Sequence, residues 1–349
     1  MSTSARHLSL LVPGLLGPVD LIDPARLPQL DSLSLLLRRS QATASSPPTF
    51  EQLLFSLFQL PVEGAELPVA PLTYLNDTGA SPAGWCMRAD PVYMEPGRTS
   101  LRLMASAEAM QLSQVEADTL CDSLNRHFAS QGVRFEAPQT HRWYCFCQAN
   151  HELITTSLRQ VQGQAVQAHM PDGEAGVFWH GILAEAQMLL YQHDVNQTRA
   201  RQGLPLVNSL WLWGQGKIPT ITSTPWQGIW ATEPLVRALA QASSTPVHER
   251  PEGAVEWLNQ AGEGRHLLVL EHLLPGLPDL SQEMWSGFVA AVEEQWLRPL
   301  IQAMRDKQLA SLQLYTGDGH CYHLSPSRLR RFWLRPRSLT AQLQLSDYE

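Results

Sequence analysis

The sequence lacks the features that mark two large classes of protein. It has no run of roughly 18 apolar residues, the length that a membrane-spanning helix requires. It also lacks an excess of basic residues, since its formal net charge is -8 at pH 7. A phosphate backbone binds to a basic surface, so this charge disfavours nucleic acid as the main partner. We therefore expect a protein that works with neither a membrane nor nucleic acid.

Cysteine is scarce as well. The chain has five cysteines in 349 residues, an odd number without the spacing of a disulfide framework. Cys145, Cys147 and His151 could approach a metal ion, but their spacing matches no common zinc motif, and two buried thiols are the simpler interpretation. The apolar run HLSLLVPGLLG near the N-terminus is interrupted by Pro13 and is not typical of a signal peptide. These features predict a cytoplasmic protein.

The motifs of several common catalytic machineries are also absent. The sequence contains no GxSxG elbow, no HExxH helix and no recognisable cysteine nucleophile motif. Residues 206–219, LVNSLWLWGQGKIP, end in a GxGK turn but lack the GxxxxGKS/T spacing of a P-loop. This spacing excludes a nucleotide hydrolase of the P-loop class.

Strand and helix patterns alternate through the last third of the chain. With 44% hydrophobic and 17% charged residues the protein is typical of globular proteins, and its length suits two domains. Apolar runs separated by amphipathic segments predict strands and helices around a parallel sheet. Residues 106–203 instead suggest a helix, a β-hairpin and a second helix. We predict an α/β core formed by residues 1–88 and 205–349 and interrupted by an α+β insert at 89–204, with LVNSLWLWG as the strand that re-enters the core.

The glycine turn after this strand has two interpretations. Gly214 and Gly216 can provide the positive φ angles that a chain needs where a buried strand ends. Alternatively, the backbone N–H groups of the turn and Lys217 can bind a phosphate or a carboxylate, with Arg142 as a bidentate clamp. On the second interpretation the candidate ligand-binding residues are Arg142, Asn208, Ser209, Trp213, Gly214, Gln215, Gly216 and Lys217.

Other polar residues lie near predicted strands. His272 follows the strand LLVL, and Asp318 and His320 follow LQLY. Asp318 and His320 can belong to one site at the end of their strand, or GDG can be a turn and His320 the start of a returning strand. Arg88 and Asp90 can contact a ligand or pair with each other near the domain junction.

Three segments together resemble a known family. They are ADPV at 89–92, HRW at 141–143 and EAQMLLYQHDVNQTRARQGLPLVNSLWLWGQGK at 185–217. They resemble the archaeal-type cofactor-independent phosphoglycerate mutases, and more closely a group of bacterial phosphoglycerate-mutase-like or RpfE-type regulatory proteins. The resemblance covers Trp85 to Pro219 and implies an alkaline-phosphatase-like core that carries an inserted lid domain.

The resemblance also implies a catalytic apparatus that this sequence does not match. Active members of the family use a phosphorylatable serine and two divalent metals held by aspartates and histidines at strand ends. Here Pro13 and Gly14 stand where the first strand should end in an aspartate ligand, and no Gly-Ser-Asp triplet occurs. Asp318 and His320 alone resemble the expected aspartate–histidine pair, and a glycine separates them.

The residues therefore predict a catalytically degenerate member of the family. We expect no cofactor, and a binding or regulatory protein with an anion-binding cleft between core and lid for a small phosphorylated or carboxylate ligand. The alternative is a metal-dependent phosphomutase or phosphatase in which His272, Asp318 and His320 hold two divalent ions, Mn or Zn. A protein partner is compatible with either hypothesis.

Overall fold

The computed structural model describes residues 5–17, 27–44, 49–62, 66–97, 101–147, 153–270, 281–317, 319–331 and 333–334. The strands, numbered along the chain, are β1 (Arg6–Leu11), β2 (Gln41–Ala44), β3 (Cys86–Pro96), β4 (Leu101–Ser106), β5 (Val133–Gln139), β6 (Arg142–Cys147), β7 (Ser209–Gly216), β8 (Gly228–Trp230), β9 (Val247–His248), β10 (Gly264–Val269), β11 (Ser311–Tyr315) and β12 (His320–Leu324).

The helices are numbered in the same way. They are α1 (Asp31–Arg39), α2 (Phe50–Leu57), α3 (Val69–Thr78), α4 (Ala107–Met110), α5 (Gln114–Phe128), α6 (Leu158–Val161), α7 (Gly176–Gln192), α8 (Asp194–Arg201), α9 (Pro234–Ala242), α10 (Ala254–Gln260), α11 (Gln282–Val292), α12 (Arg298–Arg305) and α13 (Pro326–Leu329). A π-helical turn, Glu293–Leu297, joins α11 to α12. Within the described ranges no helix combines the length and apolar character needed to cross a bilayer.

The chain divides into two compact units. Unit 1 comprises residues 1–61 and 221–349, and unit 2 comprises residues 62–220. These boundaries differ from the predicted ones, which placed residues 62–88 and 205–220 in the core. As a result, β3 and β7 both belong to unit 2.

Unit 1 is built on a largely parallel sheet. Seven of the described strands form it in the order β2-β12-β11-β1-β10-β8-β9. Strand β1 lies at its centre and pairs in parallel with β10 and β11, while β12 and β2 are added antiparallel at one edge. The apolar run in β1 suits this place, because a central strand of a parallel sheet is covered on both faces. The predicted α/β class is therefore confirmed.

One face of this sheet packs against the helices around residues 282–305. Leu8 and Leu10 of β1 belong to the same buried cluster as Trp285 and Trp296. In the same layer the carboxylate of Glu293, which is 1% exposed, accepts hydrogen bonds from the first backbone N–H groups of α1. This satisfies the buried carboxylate and two of the free N–H donors at the helix N-terminus.

Strands β11 and β12 form an antiparallel hairpin. Leu314 lies opposite Tyr322, and Tyr315 lies opposite Cys321. The interpretation of His320 as the first residue of a returning strand is therefore confirmed.

Unit 2 contains the second sheet and the helices packed on it. Its described strands follow the order β4-β3-β6-β5, and β7 pairs with β3. The pairing of β7 with β3 is antiparallel, so the prediction that LVNSLWLWG re-enters the parallel core is wrong. An apolar run indicates that a strand is buried but not which strand it pairs with, and both sheets offer a buried place. The predicted long helix also divides, at His193, into α7 and α8.

Candidate anion and metal sites

The residues of the predicted anion site lie in or next to β6 and β7 of unit 2. Six of them lie at positions 208–216, where most side chains are buried. Strand β7 contacts β3 on one side through its ladder. On the other side it contacts residues 153–156, because Trp211 donates a hydrogen bond to the carbonyl of Thr156 and Gln215 donates one to that of Leu153. Side chains of the strand are therefore hydrogen-bonded to the segment at residues 153–156.

Trp213 is bonded to a buried ion pair. The Nε and Nη2 atoms of Arg88 lie 2.9 and 2.6 Å from Oδ1 of Asp90. The indole N–H of Trp213 donates to the other oxygen, Oδ2, at 2.7 Å. The guanidinium of Arg88 also lies over the rings of Trp213 and Tyr144. The interpretation of Arg88 and Asp90 as a pair is confirmed, and the indole donor of Trp213 is engaged by it.

Arg142 binds a carboxylate, but the carboxylate belongs to α3. Its Nε and Nη2 atoms lie 2.9 and 2.7 Å from the two oxygens of Asp77, and the hydroxyl of Tyr144 donates to the same group at 2.6 Å. Burial would raise the pKa of Asp77, but the hydrogen bonds from Arg142 and Tyr144 and the charge of Arg142 lower it below its ordinary value. The bidentate geometry expected for a ligand clamp is thus used within unit 2.

The glycine turn is shaped by its close contact with the start of α3. Gly214 has φ +65°, and a Cβ atom there would lie 3.0 Å from Cβ of Val69. At Gly216, with φ +148°, a Cβ would lie 2.8 Å from Cβ of Pro68. The two glycines therefore permit both the backbone conformation and the close approach of α3.

The polar groups of this turn have partners in the segment at residues 153–157. The backbone N–H of Gly214 donates to Oγ1 of Thr155 at 3.2 Å, and Oε1 of Gln215 lies 3.2 Å from the same hydroxyl. Lys217 differs, because it is exposed and no hydrogen bond or ion pair joins it to the described residues. These contacts favour the architectural interpretation of the turn, and its role in binding an anion stays a prediction.

Asn208 and Ser209 also make internal contacts. The side-chain amide of Asn208 both donates to the carbonyl of Met94 and accepts from its N–H, so it extends the β3–β7 pairing by one step. The hydroxyl of Ser209 accepts a hydrogen bond from Gln187 of α7 at 2.9 Å. Both side chains therefore attach β7 to its neighbours.

The end of β1 is the place where the family resemblance expects a metal ligand. The chain turns there through Pro13, Gly14, Leu15 and Leu16, and both leucines are buried. The backbone N–H of Gly14 donates to the carbonyl of Thr316, and the indole of Trp285 donates to the carbonyl of Gly14 at 3.1 Å. We call residues 13–17 with Trp285 the closed turn. It offers no side-chain oxygen or nitrogen that could bind Mn or Zn.

The remaining candidate metal ligands are only partly described. His272 and Asp318 lie outside the described residues, as does His151. His320 begins β12 and is half-buried. In the part of the chain that the structure describes, no three His, Cys, Asp or Glu side chains come together as a metal site would require. The described strand ends therefore do not fit the two-metal centre that the resemblance implies.

The chain is similar to known proteins in sequence and in structure. No protein-family model matches the chain. The 2,3-bisphosphoglycerate-independent phosphoglycerate mutase of Methanosarcina mazei is 26% identical over 218 residues, covering 60% of this chain and 53% of that protein. The enzyme of the same name from Methanosarcina acetivorans is 25% identical over 219 residues, covering 58% and 52%. This chain is a relative of the cofactor-independent phosphoglycerate mutases.

The similarity is one of sequence over part of the relatives and of fold. The chain spans about half the length of the curated relatives that it matches. The solved structure of the PH0037 protein from Pyrococcus horikoshii has the same fold, with a TM-score of 0.51 and 14% identity over 92% of this chain and 88% of that one. The predicted resemblance and fold class are thus confirmed, and the chain is phosphoglycerate-mutase-like.

The partners of the motif residues lie far from them in the sequence. Asp77 lies 65 positions from Arg142, and Thr155 lies 59 positions from Gly214. No local spacing joins residues so far apart. The signal that could have suggested such pairing is general: an arginine on a predicted interior strand needs an acidic partner, because a buried charge is costly alone.

We expect Asp77→Asn to destabilise unit 2 by about 3–5 kcal/mol at pH 7, because it leaves the buried guanidinium of Arg142 without its counter-charge. Since the pKa of folded Asp77 is lowered, its contribution is fully present above the ordinary aspartate pKa of about 3.9 and is lost as the pH falls through the lowered value. Urea unfolding at pH 7 and at stepwise lower pH measures both effects. Asp122→Asn, at an exposed position of α5, is the control, and equal losses in the two variants would contradict the assignment.

We expect Gly17→Ala to disrupt the closed turn. Gly17 has φ +68°, and a Cβ there would lie 2.7 Å from Cε2 and Nε1 of Trp285. The backbone strain alone should lower the free energy of unfolding by about 1–3 kcal/mol. Gly287→Ala is the control, because Gly287 lies in α11 with no atom within 4 Å of its Cβ position, and a helical alanine should stabilise by about 0.5–1 kcal/mol. Chemical unfolding should therefore show a lower free energy of unfolding for Gly17→Ala and a higher one for Gly287→Ala. An unchanged free energy of unfolding in Gly17→Ala would contradict the packing of Trp285 against this turn.

Proposed function

We propose that this protein is a phosphoglycerate-mutase-like protein that does not catalyse the mutase reaction and acts by binding a small phosphorylated or carboxylate ligand. The observation that supports this most is the closed turn at the end of β1. Pro13, Leu15 and Leu16 have apolar side chains that cannot coordinate a metal, and Trp285 donates a hydrogen bond to the Gly14 carbonyl.

The chemistry explains why this turn matters. In a parallel sheet, functional side chains gather at the carboxyl ends of the strands. A two-metal phosphoryl transfer needs ligands that hold both ions on either side of the transferred group. A central strand that ends in proline, glycine and leucine supplies no metal ligand. The other strands would therefore have to supply all of the ligands.

The internal contacts of unit 2 support the proposal that the fold can exist without the mutase reaction. In unit 2 the residues that carry the family resemblance are joined in internal contacts, among them Arg88 with Asp90 and Arg142 with Asp77. Such contacts stabilise the unit whether or not a metal centre exists elsewhere. Within the predicted anion site Lys217 is the cation that stays exposed and could meet a phosphate or a carboxylate.

The second candidate function is a metal-dependent phosphomutase or phosphatase with rearranged ligands. It would use His272, Asp318 and His320 with two divalent ions. The observation in its favour is the position of His320 at the start of β12, close in sequence to the carboxyl end of β11 and therefore on the functional edge of the sheet.

Turnover of phosphoglycerate separates the two candidates. The purified chain would be incubated with 3-phosphoglycerate and Mn²⁺ or Zn²⁺, with the Methanosarcina mazei relative as a positive control under the same conditions. We expect no conversion and no phosphate release above the buffer background. Turnover that is lost in His320→Gln but kept in His248→Gln, an exposed histidine of β9, would contradict the proposed function and support the second candidate.

A further inference from the structure

A group of hydrogen-bond donors lies on one face of the parallel sheet in unit 1. His7 of β1 is in register with Arg265 of β10 on one side and with Ser311 of β11 on the other. Two residues further along β11, Gln313 is in register with His323 of β12. Residues in register on neighbouring strands, and residues two apart on one strand, project from the same face. We call these five residues the sheet-face patch.

Hydrogen bonds within the patch fix which atoms stay available. Nδ1 of His7 lies 2.8 Å from Oγ of Ser311, and Oγ of Ser9 donates to Oε1 of Gln313 at 3.0 Å. Burial lowers the pKa of His7, and Arg265 and His323 lower it further, so its ring favours the neutral form. With Nδ1 bonded to Ser311, Nε2 is the ring nitrogen left for a ligand, and it is a donor in the tautomer in which Ser311 donates to Nδ1. The amide NH₂ of Gln313 is likewise a donor.

The patch carries the positive charge of Arg265 and meets solvent. None of the ion pairs between described residues involves Arg265, and no carboxylate of the described chain is hydrogen-bonded to His7, Gln313 or His323. Arg265 is exposed, with its guanidinium 5.6 Å from the ring of Trp226, and the other members are half-buried. The same face becomes fully buried further along the strands, so the patch lies where the face reaches solvent.

The sheet-face patch, which is partly shielded from solvent, therefore offers more hydrogen-bond donors than acceptors. Arg265 supplies a planar fork of N–H groups, while His7, Gln313 and His323 supply donors from three neighbouring strands. A flat row of donors with no acidic side chain is suited to a ligand that only accepts hydrogen bonds and carries negative charge.

We propose that the sheet-face patch binds a small oxyanion, the phosphate or carboxylate group of a soluble metabolite. The site is in the first half of β1 and not at the strand ends where a metal centre would lie, so it does not depend on whether the mutase reaction occurs. Its position on strands rather than loops holds the donors at fixed spacing.

Titration with simple anions tests the proposal. Inorganic phosphate, acetate or chloride would be added to the full chain at constant ionic strength and pH 7, and the ring signals of His7 and His323 followed by NMR. We expect the ring signals of both histidines to shift saturably with phosphate, with acetate or with both, and not with chloride. The anion that causes the saturable shift identifies the group that the patch binds. The absence of saturation with both phosphate and acetate would overturn the proposal.

Variants locate the binding. Arg265→Gln keeps a polar side chain at an exposed position and should weaken the binding about tenfold or more, the loss expected for one charge-assisted contact. Gln313→Leu should weaken it independently by removing the amide donors. Arg305→Gln, at an exposed position of α12, is the matched control and should bind as the parent does. Equal affinity in Arg265→Gln, Gln313→Leu and the control would overturn the assignment to this patch.

Discussion

The arrangement of unit 2 depends on one constraint: a charged side chain that leaves water must find an opposite charge or a full set of hydrogen bonds inside the protein. Arg88 and Asp90 satisfy each other and bind Trp213, while Arg142 is satisfied by Asp77. These two pairs connect α3, β3, β6 and β7. The segments that resemble the phosphoglycerate mutases therefore act here as the internal framework of the unit.

The two units differ in how they accommodate polar side chains. Unit 2 keeps polar residues because removing one member of a buried pair would leave its partner uncompensated. The end of β1 in unit 1 is under no such constraint, and an apolar turn closed by Trp285 is a stable alternative to a cluster of carboxylates that repel one another without a metal. A shared fold does not by itself imply a shared activity, since activity depends on the site and not on the fold.

The sequence predicts the elements better than their partners. Apolar periodicity indicates the helix α5 and the strands β10 and β11. The place of β7 in the second sheet was not predictable, because an apolar strand fits either sheet equally well. The bidentate geometry of Arg142 was predicted, whereas its partner Asp77 depends on a contact across 65 positions. The row formed by Arg265, His7 and Ser311 was missed for the same reason, since only strand register brings it together.

The most direct test of a fold without the mutase metal centre is metal stoichiometry. The full chain would be equilibrated with Mn²⁺ or Zn²⁺, desalted, and its metal content measured by elemental analysis beside that of the Methanosarcina mazei relative. Because the closed turn supplies no ligand, we expect no stoichiometric metal to remain on the chain. The claim would be contradicted if the chain retained about two ions, as a two-metal phosphoryl transfer requires, and lost them in His320→Gln.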